Sequence, residues 1–359
     1  MYTSCSRIEK TGDSCIPVVF AADDAFFINT VVSLQSLLCN MSQENCYDVV
    51  VLTSDMHRGN EAMLHDMAAG KSNVSLRVYD ISHLASAYSV DDMDTGRRLS
   101  VATYYRFYIP ELMRDYDKVL YLDGDTVVME DVAHIFEHDI SRHYAAAVKD
   151  YNIIRDMSPS FARYVSHVLK MTDPSQYFNA GVMLLNLVRI REHFDAAAFF
   201  DFARGARMKH HDQDVFNSLF CGRILFLNAR YNVMWLNRVF YEDLPDCDAI
   251  IHDPAVIHYA GGLKPFSRNG AFREAASSYW KYAVKTPYYR FIKEAFENDC
   301  QASLRRCKRD RLRLLRHQIL RFFSMGRRRR HYGEKVENLK RSLALTKAIA
   351  SGAVPPWVQ

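Results

Sequence analysis

The stretch Lys118-Val119-Leu120-Tyr121-Leu122-Asp123-Gly124-Asp125 constrains the fold most, because a continuous apolar run ends on two carboxylates. Runs of this kind are buried strands, and the C-terminal ends of such strands are where open α/β sheets place their ligands. Residues two apart on a strand share a face, and Gly124 lets the chain turn tightly between the acids, so Asp123 and Asp125 can reach one cation. The pattern Asp-x-Asp is uninformative without that context. It occurs five times, at Asp92/Asp94, Asp115/Asp117, Asp123/Asp125, Asp212/Asp214 and Asp246/Asp248, and only the Asp123 copy directly follows an apolar run. Two hard carboxylates leave most of a divalent ion's coordination sphere open, and Mg²⁺ or Mn²⁺ in such sites fills it with substrate phosphate oxygens. A nucleotide diphosphate is therefore the natural ligand, and a solvated strand-end turn is the plain alternative.

A second apolar strand ends in His258-Tyr259-Ala260-Gly261-Gly262-Leu263-Lys264-Pro265-Phe266. Glycines let a backbone approach phosphates closely, and Lys264 can neutralise charge on a leaving diphosphate. His258 would add an imidazole to the two aspartates, which tilts the choice of ion from Mg²⁺ towards Mn²⁺. Taken alone, His258 is more often a packed, hydrogen-bonded histidine, and the neighbouring Gly261-Gly262 and Lys264 reverse that reading.

Three further clusters are candidates. His210-His211-Asp212-Gln213-Asp214 precedes a helix expected over 215–221, with simple capping by Asp212 or Asp214 as the plain alternative and a separate metal cluster at the His pair as a third. Asn179-Ala180-Gly181 interrupts the strand expected over 178–187, through close approach of a ligand or through a β-bulge. Phe20-Ala21-Ala22-Asp23-Asp24 is a strand ending in acid, where an α/β fold reads a base or ribose. It lacks Gly-x-Gly-x-x-Gly, which disfavours a dinucleotide reader and leaves open an N-cap by Asp24.

Strand-like runs at 17–22, 47–53, 74–79, 118–122 and 144–148 alternate with helical stretches, the pattern of a mostly parallel sheet covered by helices. Apolar spacing predicts helices over 28–38, 97–113 (with Pro110 ending or kinking it), 158–171 and 188–205, a last strand over 256–260, and closing helices over 272–284 and 287–296. The expected divisions are an N-terminal extension 1–15, one α/β domain 16–300 and a basic tail 301–359.

Charge separates that tail from the rest. Residues 1–300 hold 30 Lys and Arg against 39 Asp and Glu, a net of −9, whereas residues 301–359 hold 16 against 3, a net of +13. An acidic body without a nucleic-acid module argues against nucleic acid as a partner. The tail interleaves arginines with Leu312, Leu315, Ile319, Phe322 and Phe323, which suits a solvated extension or a helix on an anionic membrane surface, with RNA binding a third reading that no nucleic-acid module supports. The start of the chain has no apolar leader segment, and eight cysteines without Cys-x-x-Cys predict reduced thiols in the cytoplasm.

Taken in order, Phe20-Ala21-Ala22-Asp23-Asp24, Ala102-Thr103-Tyr104-Tyr105-Arg106, the run ending at Asp125, Phe178-Asn179-Ala180-Gly181, Asp212-Gln213-Asp214 and the run 258–266 resemble glycosyltransferase family 8 over about residues 16 to 270. The likeness is greatest to its bacterial lipopolysaccharide and lipooligosaccharide glucosyl- and galactosyltransferases, which are retaining enzymes with a single α/β domain of the GT-A type. The resemblance implies that Asp123, Asp125 and His258 hold Mn²⁺, with Mg²⁺ the alternative, against the diphosphate of UDP-glucose or UDP-galactose. It places Asp23 and the backbone near Ala21 on uracil, Gly124 beside the metal-binding acids, and Gly261 and Lys264 on the phosphates. It assigns Arg106, Asp150, Asn179, Ala180, Asp212 and Gln213 to the hexose. Asp212, Gln213 and Lys264 are the candidate catalytic residues. Ala25 and Phe26 depart from the family's usual Asn and Tyr, and Phe266 replaces a frequent Trp. The acceptor implied is a saccharide, lipid-linked at the inner face of the cytoplasmic membrane, where the tail would dock. A nucleotide-sugar-binding scaffold, or a metal-dependent nucleotide-sugar hydrolase or nucleotidyltransferase, remains the alternative.

Overall fold

A computed structural model describes residues 8–12, 14–24, 26–87, 101–155, 157–205, 208–322, 324, 326–350 and 353–358. Two compact units divide it, Met1–Ala260 and Gly261–Gln359. Among the described residues the first unit holds ten strands: β1 Ile16–Ala21, β2 Tyr47–Thr53, β3 Val74–Asp80, β4 Lys118–Leu122, β5 Thr126–Val128, β6 Ala145–Lys149, β7 Phe178–Asn186, β8 Ile224–Phe226, β9 Val233–Met234 and β10 Val256–His258.

Seven of these form one sheet in the order β3-β2-β1-β4-β7-β6-β8. The pairs β1/β2, β2/β3, β1/β4 and β6/β8 are parallel, and β7 alone runs against its neighbours β4 and β6. The sheet is thus α/β and mostly parallel, as the sequence predicts. The mostly apolar strands β1, β2, β4 and β7 are almost wholly buried, the polar Asp48 of β2 and Asn179 of β7 included. The order reverses between β1 and β4, which makes the crevice at their C-terminal ends the topological switch point. Because β7 is antiparallel, its first residues lie at that same edge, with Leu122 opposite Val182 and Lys149 opposite Phe178.

The second sheet has the order β5-β10-β9. Its register sets Thr126 opposite His258 and Met234 beside it. The core beneath the large sheet is aromatic, with Phe107, Phe199, Phe200, Phe216 and Phe220 in mutual ring contact at centroid distances of 5.2 to 6.1 Å. Ile8 joins this core and its N–H donates to Leu112 O at 2.9 Å, so the described end of the expected extension packs on the first unit. Residues 1–7 and 13 lie outside the described residues.

Several sequence expectations need correction. The helix expected over 97–113 is a 3₁₀ stretch, Val101–Tyr108, followed by a short α-helix, Ile109–Leu112; residues 97–100 lie outside the described residues. Pro110 starts that α-helix instead of ending one, since the N–H it lacks has no acceptor in a first turn. The stretch 188–205 divides into Leu187–His193, capped by Asn186 Oδ1, and Ala196–Gly205, with Phe194 extended between them. Cys15 and Cys46 form a disulfide, against the expectation of reduced thiols throughout. The cause is register: β1 pairs Ile16 with Tyr47, so the residues just before each strand become neighbours. Cysteine usage therefore no longer argues for a reducing compartment.

In the second unit the helices Tyr289–Phe322 and Gly326–Ala350 pack along one another, with the rings of His317 and Tyr332 stacked at 5.9 Å. The change of charge at residue 300 falls inside the first of these helices. Among the described residues no helix is long and apolar enough to cross a membrane.

Candidate functional site

The turn from β4 into β5 carries Asp123 and Asp125, and β10 pairs with β5 so that Tyr259 N–H donates to Asp125 O at 2.9 Å. That register brings His258 onto the carboxylates. Its Nε2 lies 3.2 Å from Asp125 Oδ1 and 3.6 Å from Asp123 Oδ2. Among the described residues, these three form the one group of His, Cys, Asp or Glu arranged to hold a metal ion, with ligand atoms within 4.8 Å of each other. The donor set, two hard oxygens and one imidazole nitrogen, suits a divalent cation of the Mg²⁺ or Mn²⁺ class.

Glycine is required at two places around this group. A Cβ on Gly181 would lie 2.2 Å from His258 Cε1 and 2.7 Å from Asp123 Oδ2. The close approach to Gly181 is thus made by the side chains of His258 and Asp123, and the register shift between β6 and β7 lies opposite, at residues 147–149. A Cβ on Gly124 would lie 2.3 Å from Thr30 Oγ1, so the turn rests directly on the helix Phe27–Asn40.

Arg106 ties the acids together. Its Nη2 donates to Asp123 Oδ1 at 2.7 Å, and its Nη1 donates to Ala180 O at 3.0 Å and meets Asp212 Oδ2 at 3.1 Å. The guanidinium lies over the Tyr121 ring, whose hydroxyl also donates to Asp123 Oδ1. Burial alone would lower the guanidinium's pKa, but the charges of Asp123 and Asp212 outweigh it and raise the value. Burial raises the Asp212 carboxyl, against the pull of Arg106 and of Thr103, whose Oγ1 donates to Asp212 Oδ1 at 2.6 Å.

Beside this lies a cluster of amides. Gln213 Oε1 accepts from Ala180 N and Asn179 Nδ2, each at 3.1 Å, and Gln213 Nε2 donates to Asp150 Oδ2 at 3.0 Å. Asn179 Nδ2 also donates to Asp150 Oδ2 at 3.2 Å. Arg106, Asp123, Asp125, Asp150, Asn179, Ala180, Asp212, Gln213 and His258 are therefore joined by one continuous set of contacts. Asp212 and Asp214, two residues apart on the helix His211–Leu219, have opposite fates. Asp214 is fully buried and accepts from the hydroxyls of Tyr164 and Tyr177 and from the N–H groups of Lys209 and His210, which makes it structural. Neither His210 nor His211 joins a metal-binding group among the described residues.

At the end of β1, Ala21 is buried and Asp23 Oδ1 accepts from Phe26 N–H at 2.7 Å, closing the turn into the first helix. Asp24, for which an N-cap was the plain alternative, accepts from His57 N and Asn60 Nδ2. Ala25 lies outside the described residues. Gly261 and Lys264 belong to the second unit. Gly261 has φ +88°, the left-handed region that favours glycine. Lys264 O accepts from the N–H and Oγ of Ser267, and a Cβ on Gly270 would come within 2.0 Å of that oxygen.

Asn232 is the site residue that sequence reasoning missed. It is 1% exposed, and its Oδ1 lies 3.0 Å from His258 Nδ1. The available signal was one polar residue in the apolar and aromatic run Tyr231-Asn232-Val233-Met234-Trp235. Trp235 and Leu236, which follow, both have positive φ (52° and 48°), and Trp235 N–H donates to His258 O at 3.1 Å. A strained turn thereby fastens the backbone of the histidine.

Comparison with known proteins identifies the family. Residues 17–270 match the family model described as glycosyl transferase family 8. The lipopolysaccharide 1,2-glucosyltransferase of Escherichia coli (strain K12) is 23% identical over 317 residues, 85% of this chain and 87% of that protein. The bifunctional glycosyltransferase WbbM, solved in its apo form, superposes with a TM-score of 0.70 at 27% identity over 80% of this chain and 53% of that one, so the chain spans about half its length. The galactosyltransferase LgtC, solved with donor and acceptor sugar analogs, superposes with a TM-score of 0.63 at 26% identity over 76% of this chain and 96% of that one.

Proposed function

This chain belongs to glycosyltransferase family 8 and has the GT-A fold, and from that premise we propose that it moves glucose or galactose from UDP-glucose or UDP-galactose to a saccharide acceptor in lipopolysaccharide or another surface glycan, with retention at the anomeric carbon. The observation that carries the proposal is the meeting of Asp123, Asp125 and His258 at the switch-point edge, joined through Arg106 to Asp212 and, by way of Ala180, to the Asn179 and Gln213 amides and the Asp150 carboxylate.

Asp123, Asp125 and His258 would hold Mn²⁺, with Mg²⁺ the alternative, and such an ion supplies positive charge against a departing diphosphate. Gly261 and Lys264 would bind the phosphates, and Asp23 with the backbone near Ala21 would read uracil. Arg106, Asp150, Asn179, Ala180, Asp212 and Gln213 would line the hexose. Retention needs either a covalent intermediate or attack from the face of departure. Two observations favour same-face attack. Both oxygens of Asp212 are engaged, by Arg106 and by Thr103, and both ends of the Gln213 amide are hydrogen-bonded. Asp212 then orients the sugar, and a glycosyl adduct trapped on Asp212 and seen by mass spectrometry would overturn this.

Lipopolysaccharide as the acceptor class rests on the name of the Escherichia coli relative. Attachment at the inner face of the cytoplasmic membrane rests on the tail, where Leu315, Ile319 and Phe322 are 55%, 50% and 81% exposed at helical spacing. Arg311, Arg313 and Arg316 are exposed on the same helix, a composition suited to an anionic lipid surface. The Leu312 side chain and Phe323 lie outside the described residues.

The deciding experiment measures UDP release from a panel of nucleotide sugars with Mn²⁺, with Mg²⁺ and with chelator. Turnover of one UDP-hexose, lost with chelator and in Asp125→Asn, is expected. Binding without turnover on any donor would leave only a scaffold, and UDP release indifferent to saccharide acceptors would point to a hydrolase.

A further inference from the structure

Asn232 connects the metal-facing histidine to the amide cluster, and the direction of every hydrogen bond along that connection can be read from one backbone group. The Gly181 N–H can only donate, and it does so to the Asn179 side chain at 2.9 Å, which identifies the atom it meets as Oδ1. The atom of Asn232 that approaches the same Oδ1, at 2.9 Å, must then be its Nδ2. That leaves Asn232 Oδ1 facing His258 Nδ1 at 3.0 Å, so Nδ1 carries the proton. In the neutral ring the lone pair is consequently on Nε2, the nitrogen that faces Asp123 and Asp125. A peptide N–H of β7 thus determines which imidazole nitrogen is offered to a cation.

A flip at either amide would set oxygen against oxygen or N–H against N–H. Asn232 is 1% exposed and Asn179 6%, so water is poorly placed to repair such a mismatch. Partners of metal-binding histidines that fix the ring in this way typically govern affinity without touching the ion.

We propose that Asn232 is a positioning residue that presents His258 Nε2 to the divalent cation while holding Asn179 in the sugar-lining cluster, so that one buried amide couples cation binding to donor handling. This rests on the reading that Asp123, Asp125 and His258 hold a divalent cation and that Asn179 faces the donor sugar. The two ends of the amide have separable duties. Asn232→Asp keeps an acceptor for His258 Nδ1–H but turns an acceptor towards Asn179 Oδ1, whereas Asn232→Leu removes both contacts at similar volume.

Calorimetric titration of Mn²⁺ into the full-length protein, paired with steady-state kinetics on the turned-over donor, tests this. Asn232→Leu is expected to weaken Mn²⁺ binding by about 10- to 100-fold. Asn232→Asp is expected to bind Mn²⁺ close to the wild-type affinity while the donor KM rises, a split that general loosening of the fold would not produce. Because Asn232→Leu could fail to fold, the Asn232→Asp contrast suffices on its own. Wild-type Mn²⁺ affinity in a folded Asn232→Leu, or equal loss of Mn²⁺ binding and donor handling in Asn232→Asp, overturns the relay alone. Failure of the wild-type protein to bind Mn²⁺ overturns the cation reading and the relay with it.

Discussion

Gly181 and His258 compete for one volume: a methyl group on the glycine would lie 2.2 Å from His258 Cε1 and 2.8 Å from its Nδ1. Gly181→Ala should therefore push the imidazole out of line with Asp123 and Asp125. Mn²⁺ affinity is expected to fall by about 10-fold or more, the range seen when a ligand's orientation is lost. Overpacking of this kind costs about 1–3 kcal/mol, so melting should move down modestly. Calorimetry beside a thermal melt checks both, and an unchanged Mn²⁺ affinity would show that the ring has room to yield.

Asp212 and Asp214 should separate function from stability. Asp214→Asn leaves an amide where four donors expect a carboxylate, and loss of charge-assisted hydrogen bonds at a fully buried site should cost on the order of 2–3 kcal/mol. Its melting temperature should drop clearly while Mn²⁺ binding by the folded protein persists. Asp212→Asn keeps an acceptor for Thr103 and loses the ion pair with Arg106, so sugar transfer should collapse with little change in melting. The opposite pattern would reverse the two roles.

Thiol chemistry should report the fold. Of the free cysteines, Cys39 is exposed and Cys247 and Cys300 are buried, while Cys15 and Cys46 are paired. Among the described cysteines, iodoacetamide at neutral pH should modify exposed Cys39 ahead of half-buried Cys221 and spare Cys15, Cys46, Cys247 and Cys300 until the protein is unfolded. Burial pushes the Cys300 thiol from its ordinary 9.0 up to about 11. The unfolded thiol then loses its proton first as pH rises, so stability is full below about 9 and declines between about 9 and 11. Peptide mapping after labelling, and denaturation midpoints across that window in wild type and Cys300→Ala, test this. An equal alkaline decline in the variant would remove Cys300 as its source.

Replacing Leu315, Ile319 and Phe322 together by Ser should release the protein from anionic vesicles without disturbing its fold, because all three are exposed. Sedimentation with phosphatidylglycerol vesicles at low and high salt measures this, with wild-type binding expected to weaken as salt screens the arginines. Undiminished binding by the triple variant would leave the arginines alone responsible, and absence of wild-type binding would end the docking reading.

Much of the architecture could be read from local pattern. The strands β1, β2, β4 and β7 fall where mostly apolar runs predicted them, because each must be covered on its faces and the chain has no other means of burying such runs. The acids at the end of β4 were legible for the same reason, since a strand that ends in carboxylates delivers them to the sheet edge. Less regular elements were not legible. The 3₁₀ stretch Val101–Tyr108 carries helical spacing, yet places Arg106 between Asp123 and Asp212, a geometry that charge pairing across the fold decides.

By itself the sequence determined which residues had the chemistry: two carboxylates, an imidazole, an arginine and a set of amides, each next to a strand or helix signal. Only the tertiary structure decided which of them meet. The antiparallel course of β7 put Asn179 and Gly181 at the same edge as Asp123, the β5–β10 register set His258 against Asp125, and the β1–β2 register joined Cys15 to Cys46. Apolar periodicity specifies which face of a strand is buried, because burial is a local property of one segment. It carries no information about which distant strand supplies the neighbouring hydrogen bonds, and that pairing sets both the meeting of Asp123, Asp125 and His258 and the contacts of Asn232.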